Sequence, residues 1–378
     1  MKKRAIVLGC GLVGTTMVED LAADPDFEVT AADISNDNLA HLSALRRVTA
    51  LSVDLGDPDT VGAAVQGYDV VIGALPSRIG YQTLNTVIEA GRPYCDISFM
   101  PEDALTLDAP AKRHGVTAVV DCGVSPGLSN LSVGYAHAQL DRADRVIIYV
   151  GGLPTTRRWP YDYKAPFAPS DVIEEYTRPA RMVKNGNVVQ KPALSEPELI
   201  DFPRIGTLEA FNTDGLRSLI QTLDIPNMKE KTLRYPGHVE LIRVLRETGF
   251  FDKNLIDING VKVRPLDVTS RLLFPKWKFD ESEVEFTVMR VIVEGRKGDR
   301  PMRYRYELYD ETDRTSGTSS MARTTGFPCT IIARMVAGRQ LTEPGVFPLE
   351  LLARREGLFE HMIKELSARG VKLTEKID

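Results

Sequence analysis

An α/β fold that opens with a doubly wound parallel sheet is what this sequence predicts. Three observations carry that prediction. Residues 5–22, AIVLGCGLVGTTMVEDLA, place Gly9, Gly11 and Gly14 in G-x-G-x-x-G spacing, directly after an apolar run and directly before a helical pattern. A second strand-like run, Glu28 to Ala32, ends in Asp33, nineteen residues past the third glycine. Strand-like and helix-like segments then alternate to about residue 122.

The first run, Ala5 to Leu8, is apolar throughout, as a strand covered on both faces should be. Gly9 takes the tight turn that follows, and Gly11 lets the backbone approach a pyrophosphate. Gly14 lets helix and strand pack closely, and Leu12 and Val13 lie between the glycines. The helix N-terminus offers N–H groups and a partial positive charge to phosphates. Asp33 would accept hydrogen bonds from both ribose hydroxyls and repel a 2′-phosphate, so the fingerprint reads as NAD in preference to NADP. Ser35–Arg46 reads as a helix, and Val48–Val53 as a third strand leading to Asp54. Asp57 followed by Pro58 starts a helix to Val65, with an N-cap and proline at the first position. Asp69–Leu75 is the fourth strand, and its exit through Ala74, Leu75 and Pro76 passes the adenosine ribose side. After a helix at Thr83–Ala90, the strand Tyr94–Ile97 brings Asp96, Ser98 and Phe99 to the rim of the sheet. A helix at Glu102–His114 and a sixth strand at Val116–Val120 complete the series. Ligands of such sheets bind outside the carboxyl ends of the strands. Gly9–Val13, Asp33, Asp54, Ala74–Ser77, Asp96–Phe99 and Gly123–Gly127 are therefore the positions to watch.

The pattern then changes. A helix is expected at Leu128–Leu140 and a strand at Val146–Val150, followed by a long loop rich in Pro, Tyr and Arg. Val284–Glu294 and Met302–Tyr309, joined by Arg296-Lys297-Gly298-Asp299, read as a β-hairpin whose alternation implies an antiparallel sheet with one wet face. Expected domains are thus a dinucleotide-binding domain at 1–122, an inserted α+β domain with an antiparallel or mixed sheet at 123–312, and C-terminal helices at 313–378 that return to the first domain. Those helices are read at Thr330–Ala337 and Glu350–Ala368. The hairpin offers an edge for sheet continuation across a homodimer.

Among 378 residues the formal net charge is -5, and no Lys/Arg cluster offsets it, which argues against nucleic acid or an anionic membrane as partner. No run of eighteen apolar residues exists. MKKRAIVLG breaks at the glycines with no cleavage site, so a cytoplasmic start is expected. Cys10, Cys95, Cys122 and Cys329 stand in no zinc spacing, and the reading is free buried thiols, no metal, and a reducing compartment.

With GCGLVG at the start, DCGVSPGLSN (121–130), YVGGLP (149–154), KTLRYPGH (231–238) and SSMARTTGFP (319–328) resemble the saccharopine dehydrogenase/reductase superfamily. VIEEYTRPA (172–180), GTLEAFNTDGL (206–216) and KTLRYPGHVELIRVL (231–245) are similar to its lysine 6-dehydrogenase branch. The resemblance implies a Rossmann domain, an α+β domain that forms the substrate cleft and often a dimer interface, and NAD-dependent oxidation of an amine carbon in an amino acid. Saccharopine-acting members usually carry Asp, Cys and Tyr where this chain has Ser125, Val150 and Phe99. These departures favour oxidative deamination of the ε-amine of L-lysine, giving allysine (piperideine-6-carboxylate after cyclisation), ammonia and NADH. A saccharopine-type or carboxy-polyamine C–N oxidoreductase is the alternative. Such enzymes accommodate two carboxylate-bearing arms and need more arginines, which the loop Thr155–Trp159 could supply. An NAD-binding sensor without catalysis is a third reading.

Lysine chemistry needs a cation for the α-carboxylate and a carboxylate for the α-ammonium. Arg234, beside Tyr235, is the candidate clamp because a guanidinium grips carboxylate as a fork. The family's corresponding Arg implies that role. His238 has an intrinsic pKa near neutrality and is a candidate proton acceptor. Asp96 is the other candidate base, with Asp121 as a weaker second. Of Glu174 and Glu175, one would meet the ammonium or orient His238, and the other would point into solvent.

Overall fold

The computed structural model describes residues 2–280 and 282–378. The chain forms two compact units. The first comprises Met1–Gln139, Arg217–Thr222 and Met321–Leu373, and the second Leu140–Leu216, Leu223–Ser320 and Thr374–Asp378.

In the first unit, β1 (Lys3–Leu8) leads through α1 (Leu12–Ala23) to β2 (Phe27–Asp33) and β3 (Val48–Ser52). The chain then starts again on the other side of β1 with β4 (Val70–Gly73), β5 (Tyr94–Asp96) and β6 (Thr117–Val120). The sheet runs parallel, and the direction of winding reverses between β1 and β4. Ala5–Leu8 and Val70–Gly73 are wholly buried, which is why the central strands read as unbroken apolar runs. Ile6, Leu8, Val71, Leu84, Val87, Tyr94 and Val120 make the core on one face of the sheet. Asp57 caps the helix Pro58–Ala64 by accepting from Asp59 N at 3.3 Å.

Six strands were expected here and seven are present. The strand Gly345–Pro348 pairs parallel to β6, placing late chain at the sheet's edge. The helix read at Thr330–Ala337 begins earlier, at Ser320, and runs to Ala337 with Pro328 inside it. Small polar residues and a Gly-Phe-Pro step look like loop, yet they let the helix sit closely on α1: a Cβ on Gly326 would lie 3.3 Å from Met17. The last helical stretch is interrupted at Gly357 (φ +74), leaving Leu349–Leu352 and Leu358–Ala368 as separate pieces. The C-terminal helices belong to this unit, where Arg334 and Arg369 meet the Asp20 carboxylate of α1 at 2.6 and 2.7 Å. Burial alone would raise the Asp20 pKa, but the two guanidiniums win and hold it below the usual range.

The second unit is built on a nine-stranded mixed sheet. Its strand order is Glu198–Phe202, Gly206–Asn212, Met228–Arg234, Arg142–Pro154, Glu285–Lys297, Arg300–Glu311 and Leu373–Ile377, and Ala180–Lys184 with Asn187–Lys191 joins beside Met228–Arg234. Met228–Arg234 runs parallel to Arg142–Pro154, whereas the long hairpin and its neighbours are antiparallel. Phe211 faces a core with Tyr176, Val239, Ile242, Leu273 and Trp277 from three helices: Pro169–Thr177, His238–Thr248 and Pro265–Trp277. Leu208 and Ala210, on the opposite face of the same strand, join Ile147, Leu153, Leu233 and Phe286. The hairpin is not an edge, contrary to expectation. Its second strand is covered by Leu373–Ile377, with Arg303 and Asp378 exchanging backbone hydrogen bonds at 2.9 and 3.0 Å.

Candidate functional site

The β1–α1 turn divides its work among three glycines. Gly9 has φ +91, and a Cβ there would lie 2.5 Å from the Ala74 carbonyl oxygen. A Cβ on Gly14 would lie 1.8 Å from the Gly9 oxygen, so helix and turn touch through backbone alone. Nothing stands within 4 Å of the position a Cβ on Gly11 would take. That open place is where a pyrophosphate can come close. No side chain caps α1 at Gly11, so the N–H groups of its first turn, Leu12 and Val13 included, are left to a ligand. Asp33 ends β2 and accepts from Cys10 N at 2.6 Å, Ser35 N at 2.7 Å and Asn38 Nδ2 at 3.3 Å. Those bonds aim the carboxylate, and the flanking Leu12 and Ile34 are 62% and 66% exposed, apolar surface suited to a base. The residues present fit a dinucleotide. Asp54 is exposed beyond β3, accepting from Gly56 N at 2.9 Å. Ala74, Leu75 and Pro76 lead from β4 into the helix Ser77–Glu89, with Ala74 N bonded to the Leu8 carbonyl at 2.9 Å.

Asp96 and Ser98 turn inward from the end of β5. The Asp96 Oδ1 accepts from Ser98 Oγ at 2.7 Å and Tyr94 Oη at 3.1 Å, and its Oδ2 has no partner. Ser98 packs beneath the helix Ser77–Glu89, where a Cβ on Gly80 would lie 2.7 Å from its own Cβ. Burial pushes the Asp96 pKa up to about 7; the two hydroxyls oppose the shift and Asp121 adds to it. Asp121 pairs with Arg217 at 3.2 Å, both buried. Arg217 lies over the Phe99 ring at 5.2 Å and reaches the Met100 carbonyl. Sequence reasoning missed Arg217, which stands one residue past the GTLEAFNTDGL motif and carries no local signal of its partner 96 residues away.

In the second unit, Arg234, Glu175, Tyr176 and His238 come together, and Tyr163 joins them. Arg234 ends its strand 2% exposed. Its Nε donates to Tyr176 Oη at 3.1 Å, its Nη1 to the Leu233 carbonyl at 2.9 Å, and its Nη2 to Glu175 Oε2 at 2.7 Å. The guanidinium also lies 4.4 Å from the Tyr163 ring centre. His238 Nδ1 is 2.9 Å from the Tyr161 carbonyl, which can only accept, so Nδ1 carries the proton. Nε2, 2.9 Å from Tyr176 Oη, must then accept from that hydroxyl. The relay runs one way: Arg234 Nε–H to Tyr176 oxygen, Tyr176 O–H to His238 Nε2. Burial first, then the Arg234 charge, pushes the His238 pKa down to about 3. The near-neutral proton acceptor expected of His238 is not what this environment makes; the imidazole is held neutral.

Glu174 and Glu175 point apart, as neighbours on a helix do. Glu175 takes Arg234, and Glu174 takes Lys253 at 2.9 Å. Burial raises the Glu175 pKa, and Arg234 opposes that shift. Tyr235 donates to the Pro154 carbonyl at 2.9 Å, and the Arg157 guanidinium lies 4.9 Å from its ring centre. Arg157 is half exposed and braced by Asp162 through Nε at 2.9 Å and Nη2 at 2.7 Å. Arg234 is thus buried, whereas Arg157 is open to solvent. Among the described residues no group of three or more His, Cys, Asp or Glu could hold a metal, and all four cysteines are free and buried.

A seven-stranded parallel sheet with a G-x-G-x-x-G turn, joined to a separate mixed sheet, defines a two-domain oxidoreductase of the dinucleotide-binding class. Two family profiles divide the chain: the saccharopine dehydrogenase NADP binding domain over residues 5–119 and the saccharopine dehydrogenase C-terminal domain over residues 123–371. This chain belongs to the saccharopine dehydrogenase family, and its first domain is a pyridine-nucleotide-binding domain. The L-glutamate-forming, NADP(+) saccharopine dehydrogenase of Pyricularia oryzae is 23% identical over 99% of both chains. The carboxyaminopropylagmatine dehydrogenase of a Synechocystis species is 22% identical over 92% of both. The solved apo saccharopine dehydrogenase (L-Glu forming) of Saccharomyces cerevisiae shares the fold at TM-score 0.79 and 19% identity, over 100% of both chains.

Proposed function

We propose that this protein is an NAD-dependent oxidoreductase of the saccharopine type, making or breaking a C–N bond in an amino acid with more than one carboxylate. The observation that carries the substrate half is Arg157, half exposed and lying over the Tyr235 ring. A substrate with two acidic arms asks for separated cations, and Arg157, open and held as a fork by Asp162, can exchange that partner for a ligand carboxylate. Arg234 is buried, and its charge is met by Glu175. Asp33 supports NAD, because a carboxylate at the end of β2 suits ribose hydroxyls and repels a 2′-phosphate.

Gly9, Gly11, Gly14 and Asp33 would hold the nicotinamide cofactor, which would supply a hydride acceptor for the carbon that bears nitrogen. Oxidation there leaves an imine; water adds, and the C–N bond breaks to a carbonyl and an amine. Of the two groups considered for moving the proton, Asp96 has the affinity that neutral-pH chemistry asks for, whereas His238 stays neutral and orients Tyr176.

Oxidative deamination of lysine at its ε-carbon is the second reading. It is favoured by Arg234 and Glu175, 2.7 Å apart, a cation and a carboxylate matched to one α-amino-acid head. Reduction of NAD or NADP by saccharopine, L-lysine, ornithine and a simple diamine, with ammonia followed in parallel, separates the two. Saccharopine turnover without ammonia bears out the proposal; lysine turnover with stoichiometric ammonia replaces it with the second reading. No turnover with any of the four refutes both.

A further inference from the structure

Glu350 is a fully buried carboxyl group whose hydrogen-bond partners are neutral. It stands on the short helix Leu349–Leu352, which packs in the first unit against the helix Leu128–Gln139: a Cβ on Gly134 would lie 2.4 Å from the Glu350 carbonyl oxygen. The Glu350 Oε2 accepts from Asn130 Nδ2 at 3.3 Å, and its Oε1 lies 2.8 Å from Thr222 Oγ1. Thr222 Oγ1 also donates to the Ser218 carbonyl at 3.0 Å. A hydroxyl has one proton and a carbonyl can only accept, so the proton between Thr222 and Glu350 belongs to the acid. Burial, which raises the Glu350 pKa, agrees.

From this acid outward the bonds have a direction. Asn130 turns its amide nitrogen to Glu350, so its Oδ1 faces the other way and accepts from Ser129 Oγ at 3.0 Å and Gly127 N at 3.4 Å. That spends the only proton of the Ser129 hydroxyl. Ser125 Oγ, 3.0 Å from Ser129 Oγ, must then be the donor of that pair. Asn130 and Ser129 are wholly buried and Ser125 half-buried, so the chain of bonds starts in the interior and surfaces at one hydroxyl. With its proton turned inward, Ser125 presents only lone pairs outward. Its loop is held tight. Gly123 N donates to the Pro126 carbonyl at 3.2 Å, Leu128 N donates to the Gly123 carbonyl at 2.8 Å, and a Cβ on Gly127 would lie 2.0 Å from that same Gly123 oxygen.

The loop leaves the carboxyl end of β6, which lies beyond β4 and β5 on the side of β1 away from β2. Pyrophosphate belongs to the β1–α1 turn and the adenosine ribose to Asp33 on β2, so the nicotinamide half of a dinucleotide runs toward β4, β5 and β6. We propose that Ser125 accepts a hydrogen bond from the amide N–H of the nicotinamide carboxamide. Glu350 is the positioning residue that keeps it an acceptor, acting through Asn130 and Ser129. The carboxamide is the only hydrogen-bond donor on the nicotinamide ring, so an acceptor held in one place selects which face of the ring turns toward substrate. The inference concerns the cofactor alone and stands whichever amine is oxidised.

Calorimetric titration compares NADH with two reduced analogues: acetylpyridine adenine dinucleotide, in which a methyl group replaces the amide nitrogen, and thionicotinamide adenine dinucleotide, which keeps it. If NADPH is the tighter ligand, the phosphorylated series is used instead. The intact protein should bind NADH and the thio analogue roughly 5–20-fold more tightly than the acetyl one. Ser125→Ala should bring all three to within about threefold of one another. Ser129→Ala, which releases the Ser125 proton, and Glu350→Leu, which releases the Asn130 amide, should do the same. Glu350→Gln reproduces the neutral acid, its Nε2 donating to Thr222 and its Oε1 accepting from Asn130, and should keep the full preference. Each ratio is taken on one protein, so a general loosening of the cofactor site cancels. An intact protein without the preference overturns the proposal, as does a Ser125→Ala protein that retains it. Retention in Ser129→Ala, or loss in Glu350→Gln, overturns the positioning role of Glu350.

Discussion

Asp33→Asn isolates the charge at the end of β2 while keeping an oxygen for the Cys10 N–H, which Asp33 accepts at 2.6 Å. A carboxylate about 5 Å from a 2′-phosphate repels it by roughly 3 kcal/mol per pair of unit charges at an effective dielectric of ~20. Asp33 lies at a rim that water reaches once the cofactor leaves, so about half of that survives screening, ~1.5 kcal/mol, or about tenfold per unit of phosphate charge. NAD should lose affinity as well, since a charge-assisted bond to a ribose hydroxyl becomes a neutral one, by ~1 kcal/mol. Together the changes should move the preference for NADH over NADPH by roughly 10–100-fold toward NADPH. Turning the amide toward Ser35 N should cost about 1 kcal/mol in stability, visible as a modest fall in Tm. Calorimetric titration of both reduced cofactors into both proteins is the assay. A wild-type protein that binds NADPH as tightly as NADH would refute the reasoning at its root, and so would a variant whose ratio moves by less than about threefold.

Gly14→Ala should abolish cofactor binding and lower stability by ~3 kcal/mol or more, because its Cβ would lie 1.8 Å from a backbone oxygen with no room to yield; thermal unfolding and NADH titration check both. Tyr176→Phe strands the Arg234 Nε–H and the His238 Nε2 in the interior, for a loss of about 2–4 kcal/mol in urea unfolding, while NADH binding should be untouched. Asp96, raised to about 7, binds its proton in the folded state where the unfolded chain has lost it. Its contribution is therefore full below about pH 4 and is lost as pH rises to about 7; Asp96→Asn should remove a stability decline of up to ~4 kcal/mol across that window, and parallel pH profiles for the two proteins would deny the shift. Arg157→Ala should raise KM for a two-armed substrate roughly tenfold or more with little change in kcat, and equal kinetics would clear Arg157 of substrate contact.

Much of the first domain is legible in the sequence because burial on both faces leaves an unbroken apolar signature. Ala5–Leu8 and Val70–Gly73 announce themselves that way, and Asp33 stands out as the carboxylate that ends β2, nineteen residues past Gly14. Gly345–Pro348 does not, since four residues containing Gly and Pro become a strand only by pairing with a segment more than two hundred residues earlier. The helix Ser320–Ala337 hides behind Gly326 and Pro328, whose value is close approach to α1, a tertiary fact. The candidate site divides similarly. The three glycines show their roles in their spacing, as does the divergence of Glu174 from Glu175. The neutrality of His238 depends on the carbonyl of Tyr161, 77 positions away, and the Asp121–Arg217 pair depends on a segment that crosses back into the first unit. Such long-range pairings leave no local periodicity.

The seventh strand of the parallel sheet also sets a timetable. β6 is complete at Val120, but the strand that covers its outer side begins at Gly345, after the 224 residues from 121 to 344. At ribosomal speeds of about 5–20 residues per second, that edge stays unpaired for roughly 10–45 seconds. Throughout that interval the nascent domain presents Thr117-Ala118-Val119-Val120 as an open apolar template. Pulse-labelled nascent chains arrested near residue 300 should be prone to clumping, and release of a further fifty residues should end it.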